Sequence, residues 1–243
     1  MGVLDEIALA ELSRAPTIGA VVDTLATWRM PLARPLHEGL RLVGETESLQ
    51  PVEFELDRFV FLHALEVVAD GDENDAVVRR YLRLLVDRTN LLTVLRYLEE
   101  QSALSPLEAG RHFLEGNGRL TRARFEAIAG ARNLHDGLAR LASTVYGQLA
   151  LQFARQEVIS LPLVERQLDR LVLQEVVACS REDPLGIGLA IAFAERKINE
   201  VRNLRMIVQG KAAGMIAEQI SEWLIMQCST QPSAAPPPLE GGR

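Results

Sequence analysis

The stretch from Asp183 to Gly214 constrains the fold more than any other part of the chain. Asp183 can cap a helix, and Pro184 suits the first helical position, where its missing N–H leaves no hydrogen bond unmade. Beyond them, apolar residues recur at spacings of three, four and eight: Leu185, Leu189, Phe193, Val201, Leu204 and Val208. This spacing predicts one long helix with an apolar face.

The same stretch is basic within an acidic protein. Against Glu195 and Glu200 stand five positive residues: Arg196, Lys197, Arg202, Arg205 and Lys211. The whole chain has 26 basic and 33 acidic residues and a formal net charge of −7, which argues against a general nucleic-acid binder. The local charge inversion indicates either a solvated face with internal ion pairs or a docking surface for acidic partner groups. The sequence leaves both interpretations open.

This helix has a partial copy 113 residues earlier. In each copy an acidic residue is followed three positions later by an amide, and apolar residues then occupy the same places. The acid and amide pairs are predicted to be structural residues of a repeated core: Asp87 with Asn90, and Glu200 with Asn203. A repeat of this length fits the size of a domain, and a chance match is the alternative.

The chain is predicted to be all-α, with two tandem, similar helical-bundle domains. No run of alternating β-branched residues bounded by turns indicates a strand. A cluster of glycines around Phe113 predicts a connecting loop, which divides the chain into domains 1–118 and 119–228. The remaining residues, 229–243, are rich in Ser, Ala, Pro and Gly and are predicted to be disordered.

Motifs for chemistry are missing from the sequence. Gly186 and Gly188 suggest a dinucleotide-binding loop, but Ile191 stands where a third glycine belongs, and no strand precedes them. Cys179 and Cys228 form neither a zinc signature nor a disulfide framework. The four histidines lack the spacing of metal ligands. We therefore expect no catalytic residues, no cofactor, no metal and no small-molecule substrate.

No segment of the sequence is long and apolar enough to cross a membrane. The uncharged run at residues 141–154 has only 14 residues, whereas a spanning helix needs about 18 or more apolar residues. We therefore expect a soluble or at most peripheral protein.

Three segments carry a resemblance to a known family: Asp183-Pro184-Leu185-Gly186-x-Gly188, then Lys197-x-x-Glu200-Val201-x-Asn203-Leu204-Arg205-x-Ile207, and then Gly210-Lys211-Ala212-Ala213-Gly214. They resemble the C-terminal part of the C subunits of V-type and A-type ATPases, a family whose eukaryotic vacuolar members are called d subunits. The earlier helix, with Asp87, Asn90 and Leu91, resembles the internal repeat of that family.

The resemblance implies an all-helical, funnel-shaped protein without catalytic residues, located on the cytoplasmic side of a membrane. Such a protein links the central-stalk shaft, formed by the D and F subunits, to the membrane rotor ring, and so couples ATP hydrolysis or synthesis to proton transport. Members of the family usually contain three similar helical domains. This chain shows two copies, and the missing copy would precede Met1, so either the start is truncated or the protein has diverged.

Partner contacts are hypothesised at the basic residues and at the glycine-rich loop, namely Arg196, Lys197, Arg202, Arg205, Lys211, Phe113 and Arg119. The alternative is a generic helical scaffold or regulatory binding module, which explains the helices and the missing motifs equally well. It does not explain why the repeat and the three resembling segments occur together. An enzyme with a site of scattered residues has no support from any motif.

Overall fold

The computed structural model describes residues 4–46, 49–100, 105–156 and 158–226. These residues contain no β-strand, which confirms the predicted all-α class. They form twelve α-helices: α1 (Glu6–Ser13), α2 (Ile18–Thr27), α3 (Ala33–Thr46), α4 (Gln50–Val67), α5 (Glu73–Glu99), α6 (Pro106–Ala109), α7 (Arg122–Ala129), α8 (Leu134–Ala139), α9 (Gly147–Phe153), α10 (Leu161–Glu182), α11 (Ile187–Ala212) and α12 (Ala217–Trp223). Residues 229–243, the tail that is predicted to be disordered, lie outside the described residues.

The described chain forms two compact units that divide between Ala192 and Phe193, within α11. In the first unit, α2, α3 and α4 pack side by side, and α5 packs against α4, α7, α8 and α10. The second unit consists of the rest of α11, α12 and the residues that follow. The proposed partition into two similar domains, 1–118 and 119–228, stays a prediction.

Helix α5 is the centre of the first unit. It begins after Asp72, whose Oδ1 accepts hydrogen bonds from the N–H groups of Asn74 (2.8 Å) and Asp75 (3.1 Å), as an N-cap does. Further along α5, Leu91 and Leu95 are completely buried. They belong to one apolar cluster with residues of α7 to α10, including Phe125, Ile128, Leu138, Leu149 and Leu168. Burying each such side chain contributes about 2 kcal/mol to stability.

The start of α11 differs from the sequence expectation. Asp183 does not cap this helix, because its Oδ1 accepts a hydrogen bond from the N–H of Leu185 (3.1 Å) in a short turn. The helix begins at Ile187, whose N–H donates to Asn74 Oδ1 at 3.0 Å. The prediction that Pro184 opens the helix was therefore wrong: a side chain of α5 makes the capping hydrogen bond instead.

The other end of α11 has a glycine in the left-handed region. Gly214 has a φ of +73°, and the N–H of Met215 donates to the carbonyl of Gly210 at 2.9 Å. This arrangement is the usual way to end an α-helix and to satisfy its last carbonyl groups. It turns the chain back so that α12 can follow.

Candidate interaction surface

A buried carboxylate fixes the glycine-rich loop to α5. Asp87 is 1% exposed and accepts three hydrogen bonds, from Arg119 N–H (2.7 Å), Leu120 N–H (3.1 Å) and the Tyr146 hydroxyl (2.7 Å). Burial raises the pKa of Asp87 above its usual value, although the three hydrogen bonds oppose that rise. Burial and the neighbouring carboxylate likewise raise the pKa of Tyr146. Asp87 is therefore an anchor for the loop.

We predict that Gly118→Ala destabilises the protein. A Cβ at this position would overlap Asp87 Oδ1, and the carboxylate is held by three hydrogen bonds and cannot move without losing them. We expect the free energy of unfolding to fall by about 1–3 kcal/mol, the usual cost of overpacking, as measured by urea denaturation. As a control, Gly19→Ala places its Cβ in ordinary contact at an exposed position of α2 and should be neutral or slightly stabilising. Equal stability of both variants would contradict the packing argument.

The two amides of the repeat make the same pair of hydrogen bonds. Asn90 Nδ2 donates to the carbonyl of Leu114 at 2.9 Å, and Asn90 Oδ1 accepts from the N–H of Leu114 at 2.8 Å. Asn203 Nδ2 donates to the carbonyl of Ile225 at 3.1 Å, and Asn203 Oδ1 accepts from the N–H of Ile225 at 3.0 Å. In each copy, one amide therefore holds a later backbone segment on a long helix.

The short helices α6 and α12, which precede those backbone segments, also match. The carboxylate of Glu108 accepts from the N–H of Ser105 at 2.8 Å, and the amide of Gln219 accepts from the N–H of Ile216 at 3.1 Å. This is the return half of a capping box in both helices. Alignment of the two copies at a constant offset of 113 residues misses this match, because the second copy is two residues shorter here. Asn203 bonds to a residue 22 positions later, whereas Asn90 bonds to one 24 positions later.

The two acidic residues of the repeat lie in different surroundings. Asp87 is buried, whereas the Glu200 side chain is 55% exposed and pairs with Lys197 at 2.6 Å. Glu200 is therefore a surface residue with a neighbouring cation on its own helix. The likeness between the copies rests on the amides and on the apolar positions.

The basic residues of α11 separate into two groups. Lys197, Arg202, Arg205 and Lys211 are exposed. Arg196 is half-buried, and its Nε has no hydrogen-bond partner among the described residues. The same holds for Nε of Arg83 within the described ranges, and Arg83 stands 113 residues before Arg196. The arginine is thus a further shared feature of the two copies.

The loop residues of the partner hypothesis also differ from each other. Phe113 is 6% exposed, and its ring lies 5.4 Å from that of Phe125 in an edge-to-face arrangement. The structure therefore gives Phe113 a packing role. The Arg119 side chain is 47% exposed and lies 3.7 Å from Glu175, so it is accessible at the surface.

Four apolar residues of α11 face outward. Phe193 is 62% exposed, Val201 48%, Leu204 56% and Val208 67%. The opposite side of the helix carries the buried Asn199 and half-buried Asn203, which both donate to the Ile225 carbonyl. We define the α11 surface as the exposed apolar residues with the basic residues beside them: Phe193, Lys197, Val201, Leu204, Arg205, Val208 and Lys211.

The first unit also contains a cavity of about 350 Å³ between α5, α10 and the loop at 117–119. Arg80, Arg83 and Arg119 contribute to its wall. Arg80 pairs with Glu182 at 3.1 Å and with Glu175 at 3.5 Å, so carboxylates of α10 offset its positive charge.

The described residues show neither a candidate metal site nor a candidate membrane-spanning helix. Within the described ranges, His, Cys, Asp and Glu side chains form no group that could hold a metal ion. Among the same residues, no helix combines the length and hydropathy that crossing a bilayer requires.

An all-helical protein with an exposed apolar and basic helix face has the features of an interaction protein. The sequence model of the ATP synthase (C/AC39) subunit family matches residues 1–223. The chain therefore belongs to the ATP synthase (C/AC39) subunit family, which confirms the resemblance found in its sequence.

Curated relatives have consistent names. The C subunit of the A-type ATP synthase of Halorubrum lacusprofundi is 29% identical over 230 residues, which cover 93% of this chain and 63% of the relative. The C subunit of the A-type ATP synthase of Methanocaldococcus jannaschii is 25% identical over 221 residues, which cover 89% of this chain and 54% of the relative. The C subunit of the V-type ATP synthase of Thermus thermophilus is 29% identical over 224 residues, or 92% and 64%. The chain thus spans less than two thirds of the length of these relatives.

Proposed function

We propose that this protein is a non-catalytic central-stalk component of a V/A-type rotary ATPase. In this role it links the shaft of the D and F subunits to the membrane rotor ring, on the cytoplasmic side, and couples ATP hydrolysis or synthesis to ion transport. It acts through its surfaces, without a chemical step. The observation that carries the proposal is the family match over residues 1–223, together with relatives named as the C subunits of A-type and V-type ATP synthases.

The structure supports this role in two ways. A protein that transmits torque must be stiff, and α5 is held against α10 by Arg88, which pairs with Asp169 at 2.6 Å and with Glu165 at 3.1 Å. Dense helix packing resists deformation. A coupling protein must also hold partners, and the α11 surface offers exposed apolar and basic groups for that purpose. A generic helical scaffold would share these features but does not account for the family match.

The proposal predicts that charge reversal on α11 weakens assembly. Arg202 and Arg205 are exposed, and charged groups on a docking surface determine partner choice and register. The chain carries an affinity tag in its native host, and the recovered ATP synthase subunits are quantified by mass spectrometry. We expect wild type to recover them and Arg202→Glu with Arg205→Glu to recover about tenfold less, since loss of a few interface charges costs about 1.4 kcal/mol or more.

A matched control separates assembly from net charge. Arg14→Glu with Arg155→Glu changes the net charge equally at exposed positions elsewhere and should leave recovery unchanged. Circular dichroism checks that both variants fold. If wild type recovers no ATP synthase subunit, the proposed function is wrong. If both double variants recover the complex as wild type does, the basic residues of α11 are not the docking site.

A further inference from the structure

The apolar residues of the α11 surface lie on one side of the helix. Phe193, Val201, Leu204 and Val208 are separated by eight, three and four residues, which are helical spacings. Each is about half exposed or more. Together they extend for about 22 Å along the helix axis. Lys197 stands between Phe193 and Val201 on this side, whereas Val201, Leu204 and Val208 follow one another without interruption. Single exposed apolar side chains are common on proteins, but a contiguous group of them marks an interaction site.

The first copy of the repeat shows how such a face is covered. Leu204 and Val208 stand 113 residues after Leu91 and Leu95. Leu91 and Leu95 are 0% exposed, because α7 and α8 pack against α5 and cluster with these residues through side chains that include Phe125, Ile128 and Leu138. In the described part of the chain, nothing covers Leu204 and Val208 in that way. The repeat thus supplies a template in which helices cover the part of this face at Leu204 and Val208; the counterparts of Phe193 and Val201 in α5 are Arg80 and Arg88.

The charges beside the row differ between the two copies. Positions occupied by Leu84, Leu92 and Leu98 in α5 are occupied in α11 by three basic residues, Lys197, Arg205 and Lys211. Lys197 pairs with Glu200. Within the described ranges, Arg205 and Lys211 make no ion pair and are exposed. A complementary surface would therefore be apolar opposite Val201, Leu204 and Val208. It would be acidic opposite Arg205, at the side of this group, and opposite Lys211, at its C-terminal end.

We propose that the α11 surface binds an amphipathic helix of another protein, with acidic residues beside its apolar face. Its aliphatic or aromatic side chains pack against Val201, Leu204 and Val208. At Leu204 and Val208 this repeats the packing of α7 and α8 on Leu91 and Leu95. Its carboxylates pair with Arg205 and Lys211. The inference rests on the proposed function in that it specifies a partner contact of this protein, and it is tested on the chain alone.

The probe is a fluorescent synthetic peptide of about 20 residues, long enough to be helical. Phe and Ile are spaced three and four residues apart on one face, as Phe125 and Ile128 are in α7, and Glu flanks that face. A second peptide has Lys in place of Glu. Fluorescence anisotropy with the full chain should show binding of the Glu peptide and about tenfold weaker binding of the Lys peptide.

Substitutions locate the binding site. Leu204→Asp should weaken binding of the Glu peptide by about tenfold or more, because it places a charge in the centre of the apolar row. Leu107→Asp is the matched control, since Leu107 is 74% exposed on α6, and it should bind as wild type does. Circular dichroism checks that both variants keep their helix content.

Several outcomes would overturn the inference: no binding of either peptide, equal binding of both, or equal binding by wild type and Leu204→Asp. A wild-type dimer in sedimentation velocity that Leu204→Asp converts to a monomer would also overturn it, because the face would then be covered by a second copy of this chain.

Recovery of ATP synthase subunits is measured separately. If the complex is recovered but the peptide does not bind, only the surface inference is wrong; if the peptide binds as expected without recovery, only the proposed function is wrong.

Discussion

Replacing Asp87 by Ala should lower the free energy of unfolding by about 3–5 kcal/mol, because each buried donor left without an acceptor costs about 1–3 kcal/mol. The substitution removes the acceptor from Arg119 N–H, Leu120 N–H and the Tyr146 hydroxyl together. Asp87 is 1% exposed, so its carboxylate is shielded from bulk water. Urea denaturation followed by far-ultraviolet circular dichroism measures the loss.

Two variants test this explanation of the Asp87 effect. Tyr146→Phe keeps the buried ring and removes one of the three donors, so it should cost only about 1 kcal/mol. Asp23→Ala removes an exposed carboxylate from α2 and should change stability by no more than about 0.5 kcal/mol. If Asp87→Ala and Asp23→Ala are equally stable, the carboxylate does not anchor the loop.

The sequence was a good guide to the long helices because their signals are local. The amphipathic pattern over Leu161 to Cys179 predicts a helix, which is observed as α10, and the apolar spacing from about Asn74 to Gln101 predicts the helix observed as α5. Apolar spacing within a helix depends only on its own 3.6-residue period. Helix ends were less predictable: Asp183 has the chemistry of a cap, but its side chain closes a turn before α11.

The repeat shows where local signals stop. Asn90 and Asn203 could be aligned because each belongs to a continuous helix with a fixed pattern. Their partners are backbone atoms of Leu114 and Ile225, and backbone atoms leave no trace in residue identity. The connecting segments also differ by two residues, so the constant offset is lost just where the tertiary contact is made.

The apolar face of α11 raises a different difficulty. Spacing alone predicts that Phe193, Leu204 and Val208 share a side of the helix, but not what covers that side. The basic pattern of the same helix left a solvated face and a docking surface as alternatives. Only the exposure of Leu204 and Val208, compared with the burial of their equivalents Leu91 and Leu95 in α5, favours docking, because it shows which copy of the repeat lacks its cover.

Leu95 and Val208 occupy the same position of the repeat, but substitution to Ala should affect them very differently. Leu95 is 0% exposed within the apolar cluster of α5, α7 and α8. Leu95→Ala removes buried methyl groups and leaves a cavity, so the free energy of unfolding should fall by about 2–5 kcal/mol. Val208 is 67% exposed, and Val208→Ala in the isolated chain should change it by at most about 0.5 kcal/mol. Urea denaturation of both variants measures the difference.

Val208→Ala should affect partner binding even though it leaves the stability of the isolated chain unchanged. If a helix covers the α11 surface, Val208→Ala removes packing in the complex, and affinity for the Glu peptide should fall by about fivefold although stability is unchanged. Leu95→Ala should leave that affinity unchanged once the protein is folded. Should Val208→Ala destabilise the isolated chain as much as Leu95→Ala does, part of the chain itself covers this face, and the contrast between the two copies would disappear.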